Sequence, residues 1–392
     1  MSRRSRARAT AVAAALAAAS LTVGVGAHAG PDPLAAGGVL WRPLTAAART
    51  LPPPAPSARA WILVDADTGS VLAAQRARTP QLPASTLKTL TAVTLLPRLD
   101  MTQVYTARSN DAGIQGSGAG LVVGGTYTVE QLFLGMLLPS GNDAATALTH
   151  VYNSDGRKAI SLMNATARRL GATGTVAVNP TGLPVPGQRT TATDMAIIAR
   201  AAIANPDFRR FAQTKTVQFP GHMPKAGAVR KTYQLQNENP FIKHGVAGTI
   251  GGKTGYTRAA LRTYWVAVKR GNRTLIVVIL GFVGSYQKLA SALLDWGFKQ
   301  GSALGAVTTL PPVRPVYQPP AQPSSRPQPS IARPAQAQPG QHDVPRTAAT
   351  FLLLAAPLVI LTRRAMAVHA RMHPARGARP RSGLSTGTTG RR

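Results

Sequence analysis

An α+β fold is what the sequence predicts, on three observations. Strand-like pairs stand at both ends of the folded span, five helix-like runs lie between them, and a last apolar stripe closes it. The chain has 392 residues and is 44% hydrophobic, enough to build a core and to exclude wholesale disorder.

The first pair comprises residues 60–64 and 71–74, which flank the turn Asp67-Thr68-Gly69. Residues 264–269 and 274–281 flank Arg270-Gly271-Asn272-Arg273 and read as a second hairpin. Helical spacing of apolar residues runs through 85–96, 128–137, 143–152, 157–170 and 193–203, and through the closing segment 286–298. End strands that share a sheet around these helices make one domain, residues 57–309.

The flanks read differently. In residues 1–29, Arg3, Arg4, Arg6 and Arg8 precede an uncharged Ala-rich run and the small-residue site Ala27-His28-Ala29, the pattern of a secretory signal peptide. Residues 30–56 are a flexible lead-in, and 310–346 a Pro-rich linker. Residues 347–362 carry no charge, but as a helix they span only about 24 Å against a bilayer core of about 30 Å. Pro357 inside the run is tolerable in a membrane helix. The basic tail 363–392 then stays cytoplasmic, which places the folded domain outside a cell membrane crossed once. A second reading of the same tail is wall attachment: Val344-Pro345-Arg346-Thr347-Ala348 before an apolar and a basic run resembles a sorting signal.

Lys and Arg number 45 against 13 Asp and Glu, for a net charge of +32. The central span remains basic after the ends are set aside, which fits an anionic neighbourhood. Nucleic acid is not expected as the partner, because no supporting motif occurs and the export signal argues against it. The absence of cysteine removes disulfides, thiolate metal sites and cysteine nucleophiles together. The seven His are scattered without ligand spacing and no Gly-rich phosphate loop occurs, so neither metal nor cofactor is expected.

Three short motifs carry chemistry. Ser85-Thr86-Leu87-Lys88 is an S-x-x-K, Ser140-Gly141-Asn142 an S-x-N, and Lys253-Thr254-Gly255 a K-T-G. Each is weak alone, and Ser285-Tyr286-Gln287-Lys288 is a decoy for the first. All three in this order have a chance expectation of about 0.003. Residues i and i+3 at a helix start share a face, so the Lys88 amine can return to the Ser85 hydroxyl. It accepts a proton only when neutral, and at an ordinary pKa about one molecule in 2,500 is neutral at pH 7. Burial and a second cation both lower that pKa, and Lys253 is the candidate cation. Pro139 ends the helix before Ser140, so that a short loop presents hydroxyl and amide to a cleft; Ser140 also reads as a cap for the next helix. Glycines around Lys253 and Thr254 let a ligand backbone lie along a strand edge, where cation and hydroxyl would hold a carboxylate.

The surrounding residues are more specific still. Pro83-Ala84-Ser85-Thr86-Leu87-Lys88, Leu138-Pro139-Ser140-Gly141-Asn142-Asp143-Ala144-Ala145, Asn179-Pro180-Thr181-Gly182-Leu183 and Lys253-Thr254-Gly255-Tyr256-Thr257 are the segments concerned. Together they resemble the D-alanyl-D-alanine carboxypeptidases, low-molecular-mass penicillin-binding proteins of the β-lactamase/transpeptidase-like serine enzymes. The resemblance covers residues 57–300. It implies a five-stranded antiparallel sheet with covering helices and a helical subdomain across the cleft.

It also implies a reaction and partners: removal of the terminal D-alanine from peptidoglycan stem peptides through an acyl-enzyme, with β-lactams as inhibitors. Ser85 would attack the carbonyl, Lys88 take its proton, and Ser140 relay a proton to the leaving amine. Asn142 would hold the acyl side chain, Lys253 and Thr254 would hold the terminal carboxylate, and Gly255 and Tyr256 would complete the substrate-binding strand. Backbone N–H groups of Ser85 and Tyr256 would form an oxyanion hole worth about 3 kcal/mol per donor.

Two positions depart from the family pattern. Ala260-Leu261 stands where Ala-Gly is common, and Tyr286 stands where many members carry an arginine for the carboxylate, leaving Lys288 or Arg258 to substitute. The competing readings are a D,D-endopeptidase of the same family, a β-lactamase and a non-catalytic wall binder. A class A β-lactamase needs a glutamate for its water, and Glu238, 15 residues before Lys253, is poorly placed by sequence. A binder has no need of Lys88.

Overall fold

Apolar side chains on both faces of the central strands decide the architecture, because each face must be covered. The structure is a computed structural model. It describes residues 32–316 except 36, 46–50, 55 and 224–227. All of these fall in the first of two units, residues 1–324 and 325–392. The expected signal peptide, apolar segment 347–362 and basic tail lie outside the described residues, as does most of the linker. Among the described residues no helix is long and apolar enough to cross a membrane.

In chain order the first elements are β1 (Leu40–Trp41), β2 (Ala58–Asp65), β3 (Ser70–Gln75) and α1 (Lys88–Leu95). Then follow β4 (Val104–Thr106), β5 (Thr126–Thr128), α2 (Val129–Leu137), α3 (Asn142–Tyr152), α4 (Arg157–Leu170), α5 (Ala192–Ala204) and α6 (Pro206–Gln213). The rest are β6 (Thr216–Pro220), β7 (Thr232–Gln236), α7 (Pro240–Lys243), β8 (Thr249–Thr257), β9 (Leu261–Arg270), β10 (Arg273–Phe282), α8 (Tyr286–Gln300) and β11 (Thr308–Thr309).

The main sheet runs β1-β3-β2-β10-β9-β8, with β11 also on β3, and all its pairings are antiparallel. It therefore has seven strands, where five were expected; the two extra ones are the two-residue strands β1 and β11, which both pair with β3. Both predicted hairpins are present, as β2/β3 and β9/β10. Every residue of β10 from Thr274 to Phe282 is buried, so no polar alternation marks it. Ile276, Val278 and Leu280 face a core under the helices that also holds Trp265, while Leu275, Val277 and Ile279 face α8 through Leu293 and Leu294.

Helix boundaries follow their caps. Thr128 closes a capping box with Gln131 at the start of α2, and Gly171, at φ 91, ends α4. Sequence periodicity missed α6 and α7, each opened by a proline after a capping asparagine. It also missed the small hairpins β4/β5 and β6/β7. These elements are too short for a period to show. Leu261 keeps φ 61, so the left-handed backbone of the usual glycine survives there under strain.

Candidate active site

Ser85 lies in a 3-10 turn, Ala84–Leu87, that runs directly into α1, and Lys88 is the first residue of that helix. The turn is held against the sheet by the Pro83 carbonyl, which accepts from Thr86 Oγ1 at 2.5 Å and from Thr263 Oγ1 of β9 at 2.9 Å. Ala84 enters it at φ 45, a strained conformation for a residue with a Cβ. Gly182 packs on the same peptide: a Cβ there would sit 1.7 Å from the Ala84 carbonyl oxygen.

Lys88 is wholly buried, and its Nζ has three close partners. Ser85 Oγ is at 2.9 Å, Asn142 Oδ1 at 2.6 Å and the Thr181 carbonyl at 3.0 Å. A neutral amine has two hydrogens and one lone pair. The amide and carbonyl oxygens only accept, so they take the two hydrogens. Ser85 is the one partner able to donate, and the lone pair is left pointing at its hydroxyl. The amide orientation is supported by Asn142 Nδ2, which donates to the Gln115 carbonyl at 2.7 Å.

Ser140 has φ 65 and does not cap α3; the helix begins at Asn142, and Gly141 is its cap without a side-chain bond. This corrects the expectation that Ser140 also serves as a cap. Its hydroxyl accepts instead from Lys253 Nζ at 2.8 Å. Asn142 has a task sequence reasoning missed, since its amide is clamped between Lys88 and Gln115.

The K-T-G segment lies on β8, the edge strand of the sheet, with Lys253 opposite Trp265, Thr254 opposite Tyr264 and Gly255 opposite Thr263. Gly255 is required by close approach: a Cβ there would lie 2.4 Å from Thr263 Oγ1 and 2.7 Å from the Ser85 nitrogen. The Tyr256 side chain is exposed while its backbone continues the strand. Tyr286 Oη donates to the Gly255 carbonyl at 2.8 Å, and the Arg262 guanidinium lies over the Tyr286 ring, 4.9 Å from its centroid, and near that of Tyr256. Arg258 and Lys288 are exposed, whereas Arg262 is the half-buried cation beside this end of β8. Arg262 is the cross-strand partner of Tyr256, a neighbour that sequence spacing alone does not reveal.

The electrostatics of the two lysines follow from burial. Desolvation, then the charge of Lys253, pushes the Lys88 amine well below its usual pKa, against an opposing pull from Asp143 and Glu238. Burial lowers Lys253 to about 8, with Glu238 opposing. Glu238 is exposed just after β7, its N–H on the Leu138 carbonyl at 3.0 Å. Its 15-residue separation from Lys253 therefore hid a spatial neighbour.

The decoy is an ordinary helix start, in which Ser285 Oγ accepts from the Lys288 N–H. The segment 179–183 proves structural to the site: Asn179 Oδ1 accepts from Thr181 and Gly182, and Thr91 Oγ1 of α1 donates to the Pro180 carbonyl at 2.7 Å. A contributing main-chain carbonyl such as that of Thr181 leaves no mark in residue type. Among the described residues no group of three or more His, Cys, Asp or Glu could hold a metal ion.

The D-alanyl-D-alanine carboxypeptidase family pattern matches residues 47–283. D-alanyl-D-alanine carboxypeptidase DacB2 of Mycobacterium tuberculosis is 38% identical over 258 residues, 64% of this chain and 86% of that protein. DacC of Escherichia coli, of the same name, is 32% identical over 284 residues, 68% of each chain. The crystal structure of a D-alanyl-D-alanine carboxypeptidase from M. tuberculosis H37Rv matches with a TM-score of 0.62 at 36% identity, over 69% of this chain and 99% of that one. The Streptomyces K15 DD-transpeptidase matches at 0.60 and 28% identity, over 64% and 100%.

Proposed function

Because the chain belongs to the D-alanyl-D-alanine carboxypeptidase family, and is a serine peptidase of that kind, we propose that Ser85, Lys88, Ser140 and Lys253 carry out its chemistry. Ser85 Oγ attacks the carbonyl between the last two D-alanines of a peptidoglycan stem peptide while Lys88 Nζ takes its proton. Backbone N–H groups of Ser85 and Tyr256 receive the developing oxyanion. The proton taken by Lys88 returns through Ser140, which is hydrogen-bonded to Lys253, to the leaving amine, so that Lys88 is neutral again; D-alanine departs, and water releases the acyl-enzyme. Lys253 and Thr254 hold the substrate's terminal carboxylate, and Arg262 takes the place of the arginine absent at Tyr286.

The single observation that carries this reading is the Lys88 amine, 2.9 Å from Ser85 Oγ, with its other two partners unable to donate. The test is incubation with a stem pentapeptide and with a fluorescent penicillin, beside Ser85→Ala. Free D-alanine and a long-lived covalent label are expected, both absent from the variant. Label that turns over rapidly would mark a β-lactamase, and label without D-alanine a cross-link endopeptidase or a lactam sensor.

The flanks complete the proposal. Export by residues 1–29 and retention by residues 347–362 hold the catalytic domain on the outer side of the cell membrane, tethered through the Pro-rich linker. The sorting-signal reading of the tail predicts wall attachment instead.

A further inference from the structure

Residues 108–120 cross the face of α3 with only Asp111 and Ala119 buried among them. Both are tied to α3. In its first turn, the Asp143 carboxylate accepts from the N–H groups of Ala119, Gly120 and Leu121 at 2.8, 2.8 and 2.9 Å. In its last turn, His150 Nδ1 lies 2.5 Å from Asp111 Oδ1. Seven residues separate Asp143 from His150, which places them on one stripe of the helix, about 10 Å apart along its axis. Asp111 Oδ2 accepts from the Tyr105 hydroxyl and from the Arg108 N–H, both at 2.7 Å. The wholly buried carboxylate is therefore hydrogen-bonded through both oxygens.

Between the two ties the loop grips the site. The Asn142 N–H donates to the Ser117 carbonyl and Asn142 Nδ2 to the Gln115 carbonyl, each at 2.7 Å. Asn142 Oδ1 in turn accepts from Lys88 Nζ at 2.6 Å. Most of the loop is exposed, so little apolar burial holds it in place.

We propose that the Asp111–His150 pair is a positioning device for acylation. It pins the far end of the loop that fixes the Asn142 amide, and through Asn142 the amine of Lys88. The inference rests on the reading of Lys88 as the base for Ser85. Neither Asp111 nor His150 touches the reacting atoms; both act through Asn142.

The test replaces His150 by Phe and by Asn in the full chain. Asn offers an N–H near the place of Nδ1, and Phe offers none. Acylation by a fluorescent penicillin is timed, and urea unfolding checks the fold. His150→Phe is expected to slow acylation at least about tenfold, since a reacting group displaced by 1 Å costs up to about a hundredfold. His150→Asn should recover most of the rate. In an Asn142→Ala background, where the side-chain amide positioned by the loop is gone, His150→Phe should cost less than about twofold. If His150→Phe does not fold, Asp111→Ala gives the same readings, because it removes the acceptor and offers the imidazole no group in its place. A folded chain without the Asp111–His150 bond, whether by His150→Phe or by substitution at Asp111, that acylates at the parental rate overturns the proposal. So does a loss that stays as large without Asn142. A parental chain that never acylates refutes the assignment of Lys88 itself, and the proposal with it.

Discussion

Lys253 Nζ donates to Ser140 Oγ at 2.8 Å, so the cation that helps keep Lys88 neutral also orients the hydroxyl proposed to protonate the leaving group. Two motifs 113 residues apart in sequence thus share one hydrogen bond.

The two lysines should impose a bell-shaped pH dependence on kcat/KM. Below the depressed pKa of Lys88 its amine is charged and cannot accept the serine proton, so the rate rises as that proton leaves. Lys253 loses its charge near pH 8 and with it the hold on the substrate carboxylate, so the rate falls above that pH. Because the groups interact, the limbs report the pair. Initial rates with a stem pentapeptide from pH 5 to 10 check this, and a rate still climbing at pH 10 would sink it.

Stability should respond with the opposite trend on the alkaline side. Lys253 titrates at about 8 when folded and near 10.5 when unfolded. Below 8 both states hold the proton, and the burial penalty is fully present. Between 8 and 10.5 the unfolded chain holds more protons, so stability rises with pH, by about 3 kcal/mol over the window. Urea unfolding of the parent relative to Lys253→Met should show that slope.

Gly182→Ala should damage the site from a distance. Its new Cβ would fall 1.7 Å from the Ala84 carbonyl oxygen at φ +90, so the turn bearing Ser85 must move. A loss of about 2–4 kcal/mol in urea unfolding and at least a tenfold slower penicillin label are expected. Gly37→Ala, with nothing within 4 Å of the added methyl, should cost under about 0.5 kcal/mol.

Arg262→Ala should raise KM for the stem pentapeptide about tenfold, as one lost charge-assisted contact does, with kcat less affected. Arg262→Lys should recover part of the loss. An unchanged KM would return the carboxylate to Lys253 and Thr254 alone.

Ending the chain after Arg346 should release active enzyme into the medium, while the full chain sediments with membranes. The mature N-terminus should be Gly30. Full-length chain that leaves the membrane with detergent-free washing would contradict the anchor.

Residue type and order alone determined much of this protein. The three motifs single out Ser85, Lys88, Ser140, Asn142, Lys253 and Thr254 through their combination in one order, since the same S-x-x-K spacing at Ser285 is only a helix cap. The two long hairpins were legible because apolar runs meet at turns rich in Gly, Asp and Asn. What only the tertiary structure decided lies in atoms that carry no side-chain signature or in neighbours far apart in sequence. The Thr181 carbonyl completes the shell of Lys88, Gln115 clamps Asn142 through its main chain, and Arg262 meets Tyr256 across a strand register and Tyr286 at the start of α8. Sequence periodicity records which face of an element is buried. It does not record which carbonyl a fold brings within 3 Å of an amine, and it is that contact which aims the Lys88 lone pair at Ser85.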